Sequence, residues 1–250
     1  MFALGFYVAN LVITRLAKIR NLPSQKITDL VFWGFLVGIL GARVLYILTQ
    51  WSYFLDHPLE IVEYWTGGFV FLGGFLCVIP FIYWYGKKNK LPLASTLDVC
   101  TIGLTIAHAI GRIGCFATGC CYGKPTNSIF GVTFSKSDVI DPALRFVPVH
   151  PTQLYESACL FVLFGVLIYV FKTAKKPGSV AFTYLFTYPI IRIAIEQLRG
   201  DLIRGFIFGG LSTSQFLSLL VFFTGIGLFI WDRKDSLLKT PLKTSAAKKA

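Results

Sequence analysis

The chain has 250 residues, 55% of them hydrophobic and only 14% charged, and its 24 Lys and Arg against 12 Asp and Glu give a formal net charge of +12. Soluble domains carry about 25% charged residues, and a globular protein of this length could not hide so much apolar surface, whereas lipid covers it. The basic residues sit in short blocks between apolar runs, as contact with anionic headgroups requires, and no motif supports a nucleic-acid partner.

In chain order, apolar runs predict helices near residues 1–17, 29–50, 67–86, 95–116, 150–171, 178–198 and 211–231. The first run, about 16 residues, reaches roughly 24 Å, short of the ~30 Å hydrocarbon core, so the natural chain is expected to begin upstream of Met1. Cationic blocks set the orientation. Arg15, Lys18, Arg20 and Lys26 follow the first run, Lys87, Lys88 and Lys90 the third, and Lys172, Lys175 and Lys176 the fifth. Arg233, Lys234, Lys239, Lys243, Lys248 and Lys249 follow the last run, while the loop 51–66 has no Lys or Arg. All four blocks fall on one side. The expected fold is therefore an all-α polytopic membrane protein with seven transmembrane helices, N-terminus outside and C-terminus cytoplasmic. Residues 1–233 would form the transmembrane domain and 234–250 a basic cytoplasmic tail. Between helices four and five, residues 117–149 are rich in Gly and Pro, predicting a small extracytoplasmic subdomain with short strands around Phe130–Phe134. No internal repeat of the transporter kind is visible.

Three arginines, Arg43, Arg112 and Arg192, fall in or at the edge of predicted spans. Each opposes insertion by about 2.5–3.5 kcal/mol at a helix centre, roughly 8–10 kcal/mol together, so something must compensate. Glu196 and Arg199 share a helix face with Arg192, which leaves pairing within the helix and function both open. Asp98 is a carboxylate able to neutralise another arginine. Where arginines outnumber carboxylates, a phospholipid supplies the missing anion, because guanidinium binds phosphate bidentately and stays charged in low dielectric. The run Gly111-Arg112-Ile113-Gly114-Cys115-Phe116-Ala117-Thr118-Gly119-Cys120-Cys121-Tyr122-Gly123 surrounds one arginine with glycines that admit a ligand or another helix closely. His150-Pro151-Thr152-Gln153-Leu154-Tyr155-Glu156 opens the fifth helix with more polar groups than a helix start needs. His57 reads as structural; His108, one turn before Arg112, shares its face. Of six cysteines, Cys77, Cys100 and Cys159 lie in predicted spans and read as packing residues. Cys115, Cys120 and Cys121 cluster, but C-x4-C-C matches no zinc spacing, so packing is the first reading and a disulfide or metal site stays open.

These segments, with G-A-R-V-L-Y (41–46), W-T-G-G-F-V-F-L-G-G (65–74) and R-I-x-I-E-x-x-R-G-D (192–201), occur in an order and at spacings that resemble the prolipoprotein diacylglyceryl transferase family of bacterial inner membranes. The resemblance runs from Met1 to about Trp231. It implies transfer of the diacylglyceryl group from phosphatidylglycerol to the lipobox cysteine thiol of prolipoprotein signal peptides, forming a thioether and releasing glycerol phosphate, with no cofactor or metal. Arg112 matches the signature arginine and Arg192 a second essential one; Glu196, Tyr188, Asp98 and Gly123 also fall on family positions. Arg112, Arg192 and Glu196 are the expected catalytic residues. Arg43, Asp98, Gly123, His150, Gln153, Tyr155, Glu156, Tyr188 and Arg199 are the expected substrate-binding ones. Three departures stand out. Leu72 occupies the place of a histidine proposed as general base, Cys115 replaces an asparagine and Cys120 a glutamate. A family tyrosine that precedes the first helix would lie upstream of Met1. Substitute bases rank Glu196, Glu156, His108. The alternative is a phospholipid-binding relative that has lost or altered the transfer; a transporter is the third reading.

Overall fold

The computed structural model describes residues 1–63, 68–200 and 212–238. The first three residues of the expected W-T-G-G-F-V-F-L-G-G motif, Asp201 and most of the basic tail lie outside the described residues. Eight α-helices run in order: α1 (Phe2–Ile19), α2 (Ser24–Thr49), the short α3 (Trp51–Asp56), α4 (Phe71–Lys88), α5 (Leu93–Thr118), α6 (Thr152–Thr173), α7 (Ser179–Leu198) and α8 (Thr213–Leu238). Among the described residues there is no β-strand. The strands expected around Phe130–Phe134 are replaced by isolated bridges, Val132 to Val149 and Pro125 to Val149, because turns every few residues stop a ladder from extending. This segment packs instead around a small core of Tyr122, Phe134, Ile140 and Val149.

Among the described residues, four helices, α1, α2, α5 and α6, are long and apolar enough to cross a membrane. The other long helices interrupt apolar sequence with charged residues or are described only in part. α4 ends on Lys87 and Lys88, α7 carries Arg192 and Glu196, and the side chains of α8 are described over Thr213–Gly227, an apolar stretch. Large apolar side chains point outward along the bundle, among them Phe2, Leu104, Val162, Tyr169 and Ile190. α6 is apolar on its outer as well as its inner face, the pattern of a helix with no aqueous side.

The α1–α2 and α4–α5 turns share one construction. Asn21 and Lys90 adopt left-handed φ of 54° and 53°. The next amides, Leu22 N–H and Leu91 N–H, reach back five residues to the carbonyls of Ala17 and Gly86, both at 2.9 Å. Pro23 and Pro92 then precede the next helices. This is the left-handed helix cap that satisfies orphan carbonyls, and proline cannot continue the helix it follows.

α5 is the central helix, packed against α1, α6 and α7. At one end of the bundle the core is apolar: Ile13, Leu16 and Ala17 meet Val99, Ile102, Leu163, Leu167 and Val180. Asp98 lies at this end, and its carboxylate accepts from the α7 amides of Gly178 at 2.7 Å and Ala181 at 3.0 Å. It caps α7 through tertiary contact, with Arg20 in electrostatic reach. Asp98 precedes Arg112 by 14 residues of one helix, a rise of about 21 Å, so the two expected site residues stand toward opposite ends of α5.

α2 and α4 approach through glycine. A Cβ on Gly41 would stand 2.7 Å from both the Gly73 carbonyl and the Cys77 sulfur, so the two backbones meet where no side chain fits. Gly41→Val should destabilise the bundle by about 1–3 kcal/mol through overpacking, read as a lowered thermal-unfolding midpoint in detergent; an unchanged midpoint would contradict the close crossing.

Candidate active site

At the other end of the bundle, α5 ends, α6 begins and α7 ends side by side. The polar side chains these three helices carry turn inward and meet at Glu156, the fifth residue of α6, which is 1% exposed. Arg112 Nη2 of α5 lies 3.1 Å from its Oε1. Arg192 Nη1 of α7 donates to Oε2 at 2.9 Å. Tyr188 Oη donates to Oε1 at 3.4 Å, and His108 Nε2 stands 3.6 Å from that same oxygen. One carboxylate thus takes two guanidinium groups from two helices.

Each partner is fixed from behind. Arg112 Nε donates to His108 Nε2 at 3.3 Å, one turn back on α5. Arg192 Nη2 reaches Glu196 Oε2 at 2.9 Å on its own helix and donates to Ser214 Oγ of α8 at 2.8 Å. Arg199 Nη1 comes within 3.7 Å of Glu196 Oε2. The rings of His108 and Tyr188 meet edge to face with centroids 5.5 Å apart, and Tyr184 stacks on Tyr188 at 5.1 Å. Among the described residues, Glu156 is the carboxylate that faces Arg112, and it is shared with Arg192. Arg112 is also the more open of the two arginines, its side chain 14% exposed against 7%.

The loop after α5 closes against this cluster. Gly119 caps α5 with φ of 76°. Gly123 sits between two backbones, donating to the His150 carbonyl at 2.8 Å and bridging to Arg199. A Cβ on Gly123 would stand 2.6 Å from that of His150, so glycine is required by close approach. Thr152 Oγ1 and Gln153 Nε2 donate to the carbonyls of Cys121 and Cys120 at 2.8 and 2.6 Å. His150 Nδ1 is 3.3 Å from Tyr155 Oη. The polar run that opens α6 therefore has two roles: Glu156 binds the arginines, and the residues before it hold the glycine-rich loop.

Of the expected residues, Arg112, Arg192, Glu196, Glu156, Tyr188 and Arg199 come together, with Gly123, His150, Gln153 and Tyr155 lining the adjoining loop. Arg43 stands on the α2–α4 pair, where its guanidinium donates to the carbonyls of Glu60 at 2.7 Å, Glu63 at 3.2 Å and Gly68 at 3.3 Å. There it ties α2 to the described residues on either side of 64–67. Ser214 was not foreseen. Its signal was the S-T-S-Q run at the start of α8, where Ser212 and Gln215 exchange hydrogen bonds in a capping box.

Two cations held by one buried anion make Glu156 hard to replace. Glu156→Ala should lower stability by about 3–5 kcal/mol, because Arg112 then loses its carboxylate beside Arg192, which keeps Glu196. Thermal unfolding in detergent checks this; a change below about 1 kcal/mol would mean that water already screens the arginines.

The sequence model of the prolipoprotein diacylglyceryl transferase family matches residues 1–231. A phosphatidylglycerol–prolipoprotein diacylglyceryl transferase of Clostridium tetani is 37% identical, over 93% of this chain and 91% of that relative. Proteins with the same name from Finegoldia magna and Pseudoalteromonas atlantica are each 33% identical, covering 94% and 100% of this chain and 90% and 88% of their own lengths.

Proposed function

The chain belongs to the prolipoprotein diacylglyceryl transferase family, and from that premise we propose that it moves the diacylglyceryl group of phosphatidylglycerol onto the cysteine thiol of a prolipoprotein lipobox. The observation that carries this reading is the convergence of Arg112 and Arg192 on one carboxylate. It sets two guanidinium groups side by side with a spacing already fit for an anion. In the transfer, the thiolate sulfur attacks the glyceryl carbon that bears the phosphate. A C–S bond forms, the C–O bond breaks, and glycerol phosphate leaves with the electron pair. The negative charge that develops on the departing phosphate needs donors placed beforehand. A guanidinium has five N–H donors; Arg112 engages Glu156 through Nη2 and His108 through Nε, which leaves Nη1 for an arriving phosphate.

The thiol proton needs an acceptor. Glu196 and Glu156 rank first on sequence, but both are nearly fully buried and engaged by arginine, with side chains 1% and 2% exposed. His108 is more accessible, with 26% of its side chain exposed. We assign the proton to His108, which takes the part of the histidine that Leu72 replaces. Its Nε2 accepts from Arg112 Nε, so a proton taken there exchanges that hydrogen bond for one donated toward Glu156 Oε1, 3.6 Å away.

We further propose seven spanning helices with the N-terminus outside and the C-terminus cytoplasmic, in a bacterial inner membrane. The α1–α2 turn carries Arg20 and Lys26, the α4–α5 turn Lys87, Lys88 and Lys90, and the α6–α7 turn Lys172, Lys175 and Lys176. Excess positive charge in short loops marks the cytoplasmic face. Residues 119–151 and the Glu156 cluster then face outward, where a lipobox peptide arrives.

Arg112→Lys should reduce transfer of labelled diacylglyceryl from phosphatidylglycerol vesicles to a lipobox peptide by about 10²–10³-fold, since lysine cannot offer the same fork of donors. Activity within about tenfold of the unaltered chain would sink the phosphate clamp. His108→Gln should lower kcat while leaving KM for the lipid unchanged, and Leu72→His in that background should restore part of it. A rise in KM alone would instead mark His108 as a positioning residue.

A further inference from the structure

We propose that Cys115, Cys120 and Cys121 form a binding site for a soft, thiophilic metal ion, with copper(I) as the best fit. Their three sulfur atoms all lie within 4.8 Å of one another, and among the described residues no other His, Cys, Asp or Glu joins the group. With metal–sulfur bonds of ~2.3 Å, three sulfurs around one ion stand about 3.8–4.0 Å apart, so less than about 1 Å of closure is needed. Thiolates select copper(I) and zinc over hard cations. Three sulfurs with no fourth protein ligand suit a three-coordinate monovalent ion; zinc would add a water.

The loop is shaped for this arrangement. After Cys115 the helix ends in the left-handed turn at Gly119, where the Cys120 amide reaches back to the Cys115 carbonyl at 3.2 Å. Cys121 then adopts φ of 60°, a conformation that a side chain bearing a Cβ rarely takes, and this turns its side chain onto the same side as the other two. Gln153 and Thr152 hold the carbonyls of Cys120 and Cys121. Thr118 Oγ1 lies 3.3 Å from Cys120 Sγ, an outer-shell hydroxyl on a ligand atom. The buried Gln153 keeps its Oε1 without a hydrogen-bond partner beside this turn, an acceptor suited to a metal-bound water. All three cysteines are free thiols and half-buried, so an ion can reach them. Cys115 stands in the last turn of α5, and Cys120 and Cys121 lie in the non-helical turn that follows.

The test uses the full chain, reduced and kept free of oxygen in detergent, titrated with copper(I) buffered by a chromophoric chelator. About one equivalent should bind, with three sulfur neighbours in the copper X-ray absorption. Zinc, run in parallel, should bind to the same sulfurs plus an oxygen. Cys115→Ser, Cys120→Ser and Cys121→Ser should each weaken binding at least ~10-fold, while Cys77→Ser, Cys100→Ser and Cys159→Ser combined should leave it unchanged. Should a serine variant fail to fold, copper protection of the three native thiols from alkylation, read by mass spectrometry, gives the same answer. Binding without a sulfur shell, binding that survives loss of all three thiols, or a disulfide between two of them in the chain as isolated from cells would overturn the site. None of these outcomes depends on whether the chain transfers lipid.

Discussion

The architecture depends on a single buried carboxylate. Glu156 sits where three helices meet, and it allows Arg112 and Arg192 to share an apolar bundle without expelling one another. The arginines come from different helices, so the salt bridges also tie α5 and α7 to α6, and Ser214 brings in α8. Such a cluster is poor evidence of stability, since well-packed apolar residues often hold a bundle better than buried ions do. That a membrane protein keeps it at the mouth of its bundle argues for use rather than for support.

The helix directions favour the same arrangement. α5 and α7 run one way and α6 the other, so two helix C-termini and one N-terminus lie at the site. The arginines near C-termini and the glutamate near an N-terminus have the signs that helix dipoles prefer. Arg112 is six residues before the end of α5, Arg192 six before the end of α7, and Glu156 is four residues into α6. Dipole effects fade beyond the terminal turn, so direct pairing does most of the holding and the dipoles agree in sign.

Much of the helical frame could be read from hydrophobic runs, because lipid imposes length and composition on anything that spans it. Helix ends were harder. α2 begins at Ser24, five residues before the apolar run suggested, since a helix can start on polar residues once Pro23 has set the turn. α3 escaped notice as six residues too short to carry a period. At the site, Arg112 and Arg192 were legible as isolated charges in apolar sequence, and the Arg192–Glu196 pair as an i,i+4 spacing. The contact of Arg192 with Glu156, 36 residues away on another helix, was not, because no sequence period links two helices across a loop. The family resemblance pointed to Asp98 without distinguishing a lipid contact from a cap on α7.

Glu156 also bears on how a phospholipid would enter. Without lipid, the carboxylate is the anion that both guanidinium groups face, so the pair is preorganised with its mutual repulsion offset. An arriving phosphate need not expel the carboxylate. Arg112 is the more open member and retains donors, while Arg192 is held from behind by Glu196 and Ser214. Phosphate would therefore meet Arg112 first and join Glu156 and Glu196 around two close cations. Binding charge to charge in a partly dry site is strong, and the surrounding carboxylates temper it, so that the departing glycerol phosphate can still be released. A site of arginines alone would hold the product as firmly as the developing charge; one arginine fully neutralised by its own acid would hold neither. Sharing one acid between two helices lies between these limits, and it depends on Glu156 standing where α5 and α7 can both reach it.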